Sequence, residues 1–230
     1  MTPARIRVGL IDSGLSEKQS MGMGAARRFV ADDYGGMHQT AVTPDLLGHG
    51  TTVAGIILYH APDVVLYNAQ VFDARGVTSP ASVAAALDWL TEEKVDVINM
   101  SLGLLHDREI LSEACASALS RDVVLIASSP AQGGAVFPAA YPGVIRATGD
   151  ARCDLGEISF LDNRQADFGA CPRDIAADPS APPRIGGGSL GCAHVTGHVA
   201  AYLGQGCDKS QIRQWLASRS KYLHSERRIK

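Results

Sequence analysis

The stretch "GGGSLGCAHVTGH" (residues 186–198) places a serine between three glycines and a run of small and apolar residues. A helix that is apolar on nearly every side lies buried within a domain. The pattern therefore predicts a buried helix from Ser189 to about Leu203. Because a serine at a helix start usually accepts a hydrogen bond from a free backbone N–H group, Ser189 is either a helix cap or a functional hydroxyl.

Short apolar runs alternate with helical patterns in the rest of the chain. The runs predict buried strands at 5–11, 64–72, 95–102, 123–128 and 143–148. Helices are predicted at 49–60, 79–94, 107–120 and 208–218, and the polar, glycine-rich residues 15–47 predict a loop with little regular structure. Strands that alternate with helices pair in parallel and are covered by helices on both faces. The fold class is therefore α/β, with a mostly parallel central sheet.

The composition is that of one soluble globular domain. A chain of 230 residues, 46% of them hydrophobic, can bury a single core over residues 1–230, with a short basic tail at its C-terminus. The net charge of −3 gives no reason to expect nucleic acid or an acidic membrane surface as a partner. No apolar stretch is long enough to span a membrane.

The cysteines and histidines outside the main motifs favour structural roles. The five cysteines show no CxxC spacing, which indicates free thiols in a reducing cytoplasm. Cys192, one turn beyond Ser189, is predicted to be a small buried residue rather than a second nucleophile. His194 and His198 have the i, i+4 spacing of some metal ligands, but the glutamate of an HExxH motif is absent. With an N-terminal apolar stretch too short for a signal peptide, we predict a cytoplasmic protein without a metal or cofactor.

Three polar residues have surroundings that suit chemistry. Asp12 follows the first predicted strand, His49 lies between two glycines ahead of a buried helix, and Ser189 lies between glycines and another buried helix. Each also has an ordinary structural explanation: Asp12 could form a turn, His49 could be a packed core histidine, and Ser189 could cap its helix. Together they are the carboxylate, imidazole and hydroxyl that nucleophilic hydrolysis requires. The order of residues alone does not establish that they meet in space.

Five segments resemble those of the subtilisin-like serine proteases, the subtilases, over about residues 5–203. They are "VGLIDSGL" (8–15), "GHGTTVAGII" (48–57), "VDVINMSLG" (95–103), "FPAAYPGVI" (137–145) and "GGSLGCAHVTG" (187–197). The order of aspartate, histidine and serine is also that of subtilisin. The resemblance implies a three-layer subtilisin-like fold and a serine endopeptidase that acts through an acyl-enzyme.

The resemblance also implies a role for each matched residue. Ser189 is expected to be the nucleophile, His49 the general base and acid, and Asp12 the group that orients His49. The substrate backbone is expected to pair with Ser101, Leu102 and Gly103, adding a strand to the edge of the site.

Two departures from the family pattern concern the oxyanion and the primary pocket. Subtilases usually carry an asparagine that donates to the oxyanion, and a gapless match places Ala131 at that position. Gln132, Ser129 or a backbone amide is expected to replace it, with Gln132 preferred because its carboxamide is a donor. Val136 stands where broad-specificity subtilases have a glycine, which predicts a shallow pocket that prefers Gly, Ala or Ser before the cut.

We expect no propeptide of the kind that extracellular subtilases carry, since the first strand is predicted to begin near residue 5. We also expect no calcium-holding insertion, since "IILYHAPDVVLY" (56–67) passes directly from the predicted helix to the predicted strand. These absences favour a dedicated cytoplasmic processing protease that removes a leader peptide from a modified peptide or an enzyme subunit. Its partners would then be a protein or peptide substrate and a maturation partner that bears or presents the leader. The alternatives are a catalytically impaired scaffold, favoured by the missing asparagine, and a general intracellular degradative protease.

Overall fold

A computed structural model describes residues 5–31, 36–176 and 187–225. The helices are α1 (Glu17–Ser20), α2 (His49–His60), α3 (Pro80–Glu92), α4 (Glu109–Ser120), α5 (Gly187–Gly204) and α6 (Ile212–Arg219), the last preceded by a 3₁₀ turn at Lys209–Gln211. The strands are β1 (Arg7–Asp12), β2 (Ala25–Ala31), β3 (Met37–Thr40), β4 (Val65–Gln70), β5 (Val97–Met100), β6 (Val124–Ser128), β7 (Ile145–Gly149), β8 (Ile158–Phe160), β9 (Phe168–Ala170) and β10 (Tyr222–Leu223). None of these helices is long and apolar enough to cross a membrane.

All the described strands belong to one sheet, in the order β10-β8-β9-β7-β6-β5-β1-β4-β2-β3. The central pairs are parallel, and the antiparallel pairs are β2 with β3 and β8 with β9. This mostly parallel sheet confirms the predicted α/β class. Because β1 lies between β4 and β5, its carboxyl end, where Asp12 stands, is in the middle of the sheet edge.

The helices form a layer on each face of the sheet. Side chains of α2 and α5 pack with Val8 and Leu10 of β1 in one core. Side chains of α3 and α4 pack with Ile11 in the other core. The alternation of β1 residues between two buried faces explains why its sequence is a continuous apolar run rather than an alternating one. The three layers confirm the predicted arrangement of helices on both faces of the sheet.

The prediction of a loop over residues 15–47 is wrong. Helix α1 begins with a capping box in which the Ser16 hydroxyl accepts from the Gln19 N–H group, and Gln19 binds the Ser16 backbone. Strand β2 pairs in parallel with β4 and buries Phe29. Its sequence, "AARRFVA", carries two arginines, so its half-buried pattern does not stand out. The basic tail predicted at the C-terminus lies almost wholly outside the described residues.

Three histidines join α2 to α5 on one side of the sheet. The Nε2 atom of His60, the last residue of α2, lies 2.8 Å from Nδ1 of His194 on α5. The ring of His60 also stacks against that of His198, with centroids 4.2 Å apart. The other ring nitrogen of His194 binds the carbonyl of Arg173 at 3.1 Å. These contacts fix the pair of helices that carry His49 and Ser189.

The histidine cluster is held neutral. Burial, with smaller contributions from the neighbouring histidines, lowers the pKa of His60 to about 3. Burial, helped by His194 and Arg219, lowers the pKa of His198 to about 4. Burial also lowers the pKa of His194, against an opposing effect of the Arg173 carbonyl and Asp174. Since the unfolded chain binds protons near the usual value of 6.5, folding at acid pH requires these protons to be released.

We therefore expect stability to fall as the pH drops below about 6.5. The sign follows because the folded pKa values are lowered, so the stabilisation is complete above the unfolded value and is lost below it. Each of these histidines contributes a slope of up to about 1.4 kcal/mol per pH unit in the free energy of unfolding. Urea unfolding at several pH values between 4.5 and 7.5 should give a shallower slope for His198→Leu than for the wild type. Replacement of the exposed His106 by Leu is the control, and equal slopes in all three proteins would contradict the prediction.

Candidate active site

The carboxyl end of β1 meets the first residue of α2. Oδ1 of Asp12 lies 2.7 Å from Nδ1 of His49. The same oxygen accepts a 2.7 Å hydrogen bond from the backbone N–H of Ser13. Asp12 is fully buried, and its second oxygen accepts no hydrogen bond within the described part of the chain. A buried carboxylate in this position fixes the orientation and tautomer of an imidazole.

The glycines on either side of His49 make this approach possible. Gly48, which precedes α2, has a φ of +69°, a left-handed conformation that favours glycine. A Cβ atom on Gly50 would lie 2.2 Å from the carbonyl oxygen of Gly14, so any larger residue would push α2 away from the turn after β1. The left-handed conformation thus explains the first glycine of the "GHG" sequence, and backbone contact explains the second.

His49 is more basic than an ordinary histidine. Its pKa is raised above 6.5, first by the hydrogen bond to Asp12 and then by the charges of Asp12 and Asp45, while burial acts in the opposite direction. The side chain is about one-third exposed, at 35%, so part of the ring is accessible to solvent. Proton uptake by this ring is therefore favoured, which suits a general base.

Ser189 is the third residue of α5 and is partly buried. Its hydroxyl donates a 3.1 Å hydrogen bond to the carbonyl of Ser101, and the Ser101 hydroxyl donates at 3.1 Å to the carbonyl of Ser189. The hydroxyl therefore binds another segment instead of capping its own helix. Among the described hydrogen bonds there is none between Ser189 and His49 in this arrangement.

Asn99 on β5 joins the segment of Ser101 to the helix of Ser189. Its Nδ2 donates to the Ser101 hydroxyl at 2.9 Å. Its Oδ1 accepts from the Thr196 hydroxyl at 2.9 Å and from the Cys192 thiol at 3.3 Å. Asn99 was not predicted as a site residue. The only sequence signal is that it is a polar residue within the mostly apolar "INMSL" run. Burial raises the pKa of Cys192 to about 12, which fits the predicted structural role of this thiol.

A cavity of about 610 Å³ lies beside Ser189. Its walls include the predicted substrate-binding residues Ser101, Leu102, Gly103 and Val136. Its size is in the range of ligand-binding clefts. The structure thus brings these four residues together with Ser189, at the carboxyl end of β5.

The two residues predicted to donate to the oxyanion, Ser129 and Gln132, differ in their surroundings. Ser129 lines the cavity, but its hydroxyl donates to the Gln165 carbonyl at 2.6 Å and its N–H to the Ala147 carbonyl. Both donors are occupied, so Ser129 is not arranged to bind an oxyanion, and that expectation is corrected. Gln132 is exposed and does not line the cavity. Its role remains a prediction.

No group of three or more His, Cys, Asp or Glu side chains in the described ranges is arranged to hold a metal ion. His194 and His198 instead take part in the helix contacts given above. All five cysteines are free thiols.

Known proteins that resemble this chain agree with the fold and the motifs. The model of the subtilase family matches residues 4–227. Subtilisin DY of Bacillus licheniformis is 27% identical over 237 residues, covering 94% of this chain and 83% of that sequence. Subtilisin Savinase of Lederbergia lenta is 32% identical over 152 residues, covering 61% of this chain and 54% of that sequence. The minor extracellular protease Epr of Bacillus subtilis (strain 168) is 32% identical over 157 residues, covering 63% of this chain and 23% of that sequence.

A solved structure described as S41 psychrophilic protease is similar in fold, with a TM-score of 0.67 at 21% identity over 96% of this chain and 86% of that chain. The chain spans less than two thirds of the length of Epr and Savinase. It belongs to the subtilase family of subtilisin-like serine endopeptidases.

Proposed function

We propose that this subtilase hydrolyses peptide bonds through an acyl-enzyme on Ser189, with His49 as general base and acid and Asp12 as its orienting partner. The observation that supports this most is the 2.7 Å hydrogen bond between Asp12 and His49. Ser189 itself lines a cavity of ligand-binding size. In the proposed mechanism the Ser189 hydroxyl leaves the Ser101 carbonyl, its acceptor in this structure, and donates to Nε2 of His49. Catalytic hydrogen bonds are often loose before substrate binds.

The reaction proceeds in two halves. The Ser189 oxygen attacks the scissile carbonyl carbon while His49 takes the hydroxyl proton. His49 then donates that proton to the departing amine, leaving an ester on Ser189. In the second half, water loses a proton to His49 and attacks the ester, and Ser189 recovers its proton from His49 as the product acid leaves. Asp12 stays ionised and stabilises the imidazolium in both halves.

Charge on the carbonyl oxygen needs hydrogen-bond donors. Ser189 lies in the first turn of α5, where backbone N–H groups have no partner in the helix and the helix dipole is positive. Gln132 is the proposed second donor, since it is exposed and its carboxamide can turn toward the cleft. A single missing donor commonly lowers the rate about 100- to 1000-fold, so a slow enzyme with a selected substrate fits this site.

The primary pocket is proposed to accept small side chains. Leu104 and Phe137 exchange two backbone hydrogen bonds, of 2.7 and 2.9 Å, which bring Val136 against Gly103. A Cβ atom on Gly103 would lie 3.2 Å from Cβ of Val136, so the valine occupies space directly beside the segment expected to bind substrate. This arrangement supports a preference for Gly, Ala or Ser before the cleaved bond.

The biological role that we propose is the removal of a leader peptide in the cytoplasm. A restricted pocket supports cleavage at a chosen site over general degradation. As a whole, the sequence also resembles the subtilisin-like protease of quinohemoprotein amine dehydrogenase maturation, which trims the leader of a small modified subunit. A maturation partner would present that substrate. A binding scaffold is the second candidate, favoured by the missing oxyanion asparagine.

Replacement of Ser189 by Ala is expected to lower kcat by at least about 10⁴-fold, because no other activated hydroxyl is available to form the ester. The fold should persist, since the change removes one neutral hydrogen bond of about 1 kcal/mol. Labelling by a fluorophosphonate probe, read by mass spectrometry of the intact protein, should occur in the wild type and be lost in the variant. A wild type that stays unlabelled between pH 6 and 9 would favour the scaffold.

Replacement of Val136 by Gly is expected to open the pocket. The ratio of kcat/KM for peptides with Phe or Leu before the cut, relative to Ala, should rise at least roughly 10- to 200-fold, the range for a single methylene group in an apolar pocket. The same ratio for Val136→Ala should lie between those of the wild type and Val136→Gly. A wild type that already prefers Phe in a peptide scan would contradict the small-pocket proposal.

The processing role predicts that casein is cut poorly while a leader-bearing peptide is cut at one bond. Purified enzyme can be incubated with both, in the presence and absence of a candidate partner protein, and the products read by mass spectrometry. Ser189→Ala protein controls for contaminating proteases. Rapid cleavage of casein at many bonds would indicate a degradative protease instead.

A further inference from the structure

We propose that Asp45 is a positioning residue of this active site: its carboxylate locks the start of the His49 helix to the turn that follows Asp12. Its negative charge also acts on the His49 ring from outside the hydrogen-bonded pair. The proposal rests on the proposed function of Asp12 and His49, and it adds a second carboxylate to their surroundings.

The contacts of Asp45 join the two segments. Oδ1 accepts hydrogen bonds from the Ser13 hydroxyl at 2.8 Å and from the N–H of Gly48 at 3.0 Å. Oδ2 accepts from the N–H of Thr51 at 2.9 Å and from the Thr51 hydroxyl at 2.6 Å. One carboxylate thus binds the residue after Asp12, the residue before α2, and the first turn of α2.

Ser13 completes the connection. Its hydroxyl donates to Asp45 and accepts a 2.9 Å hydrogen bond from the N–H of Gly50. Its own N–H donates to Oδ1 of Asp12, the atom that binds His49. A chain of hydrogen bonds therefore runs from Asp45 through Ser13 to both members of the pair.

Asp45 also replaces a missing helix cap. Gly48, the residue at the N-terminus of α2, has no side chain to accept from the first N–H groups. The Asp45 carboxylate accepts from Thr51, the third helical residue, as a capping aspartate would. A negative charge at this end of a helix is favourable, so Asp45 stabilises the first turn of α2 and with it the position of His49.

The charge of Asp45 acts on the imidazole of His49 through space, without a hydrogen bond between the two side chains. The charged groups that act on His49 are Asp12, on β1, and Asp45, in the segment before α2, and both raise its pKa. The four hydrogen bonds lower the pKa of Asp45 itself, against the effect of burial, so it is ionised at neutral pH. Asp45 neither lines the cavity beside Ser189 nor bonds to Ser189, which separates its effect from substrate binding.

Asp45→Asn removes the charge and keeps the shape. If catalysis requires neutral His49, the acid limb of the kcat/KM profile should move to lower pH by roughly 0.3–0.5 unit, the size expected for one screened charge several Å away. The shift should shrink in about 1 M salt, where the Debye length falls to about 3 Å. On the plateau, kcat should fall severalfold while KM changes little, since the His49 helix is less firmly held.

Thr51→Val is the matched control. It removes the hydroxyl donor to Asp45 and keeps the charge, so its acid limb should stay at the wild-type pH while kcat falls modestly. Thermal unfolding of each variant identifies any general loss of folding. If Asp45→Asn and the wild type give superimposable pH profiles at low salt, the electrostatic part of the proposal is wrong; if kcat is also unchanged, so is the positioning part.

A direct titration separates this proposal from the proposed function. NMR of the histidine rings, with His49 assigned by comparison with His49→Ala, measures the His49 pKa in protein that need not be active. The value should be lower in Asp45→Asn than in the wild type and Thr51→Val. If no peptide is cut but this shift is present, the proposed function fails and the influence of Asp45 on His49 stands; activity without the shift overturns the influence of Asp45.

Discussion

The hydrogen bond between Asp12 and His49 depends on close backbone contact between the end of β1 and the start of α2. The pair lies 2.7 Å apart although 37 residues separate it in the chain. Such contact is possible because Gly50 has no Cβ to collide with the Gly14 carbonyl. Gly50 is therefore required for the contact that brings His49 to Asp12.

A comparable constraint explains the composition of α5. A Cβ on Gly191 would lie 2.1 Å from the Thr148 carbonyl, so the helix packs almost backbone to backbone on β7. Small residues make that burial possible, and burial in turn fixes the N-terminal turn that carries Ser189. Asn99 fixes the helix relative to the strand, because its hydrogen bonds to Thr196 and to Ser101 tie α5 to the segment that follows β5.

Much of this arrangement could be predicted from the sequence, where the signal was an apolar run or a motif. The bounds of β1, β4, β5, α2 and α5 were predicted within a few residues. These elements are buried on most sides, so each is a continuous apolar run that is easy to recognise in the sequence. Asp12, His49 and Ser189 each lie at the end of a buried element, and the last two lie beside glycine. The resemblance to subtilases then assigned them their expected roles. The same reasoning missed β2, whose arginines mask its half-buried pattern, and the short β8 and β9, which are three residues each.

The polar partners of the site were beyond the reach of sequence reasoning. The Ser189 hydroxyl binds a carbonyl 88 residues away, and Thr196 binds Asn99 over 97 residues, so no local pattern marks either contact. Asp45 could have been suspected from the sequence, since it lies three residues before Gly48. This glycine precedes α2 and has no side chain to cap the helix. Ser129 was misjudged because its competing acceptor, the Gln165 carbonyl, lies 36 residues further on.

The two ends of α2 show how strongly surroundings determine the chemistry of one residue type. At its first residue, carboxylates raise the pKa of His49, so this ring takes up a proton readily. At its last residue, burial against two other histidines lowers the pKa of His60 to about 3, so that ring stays neutral and packs. On acidification the His49 ring is therefore protonated at a higher pH than the range in which the cluster opposes folding. If His49 is the proposed general base, activity is therefore expected to fall at a higher pH than stability does.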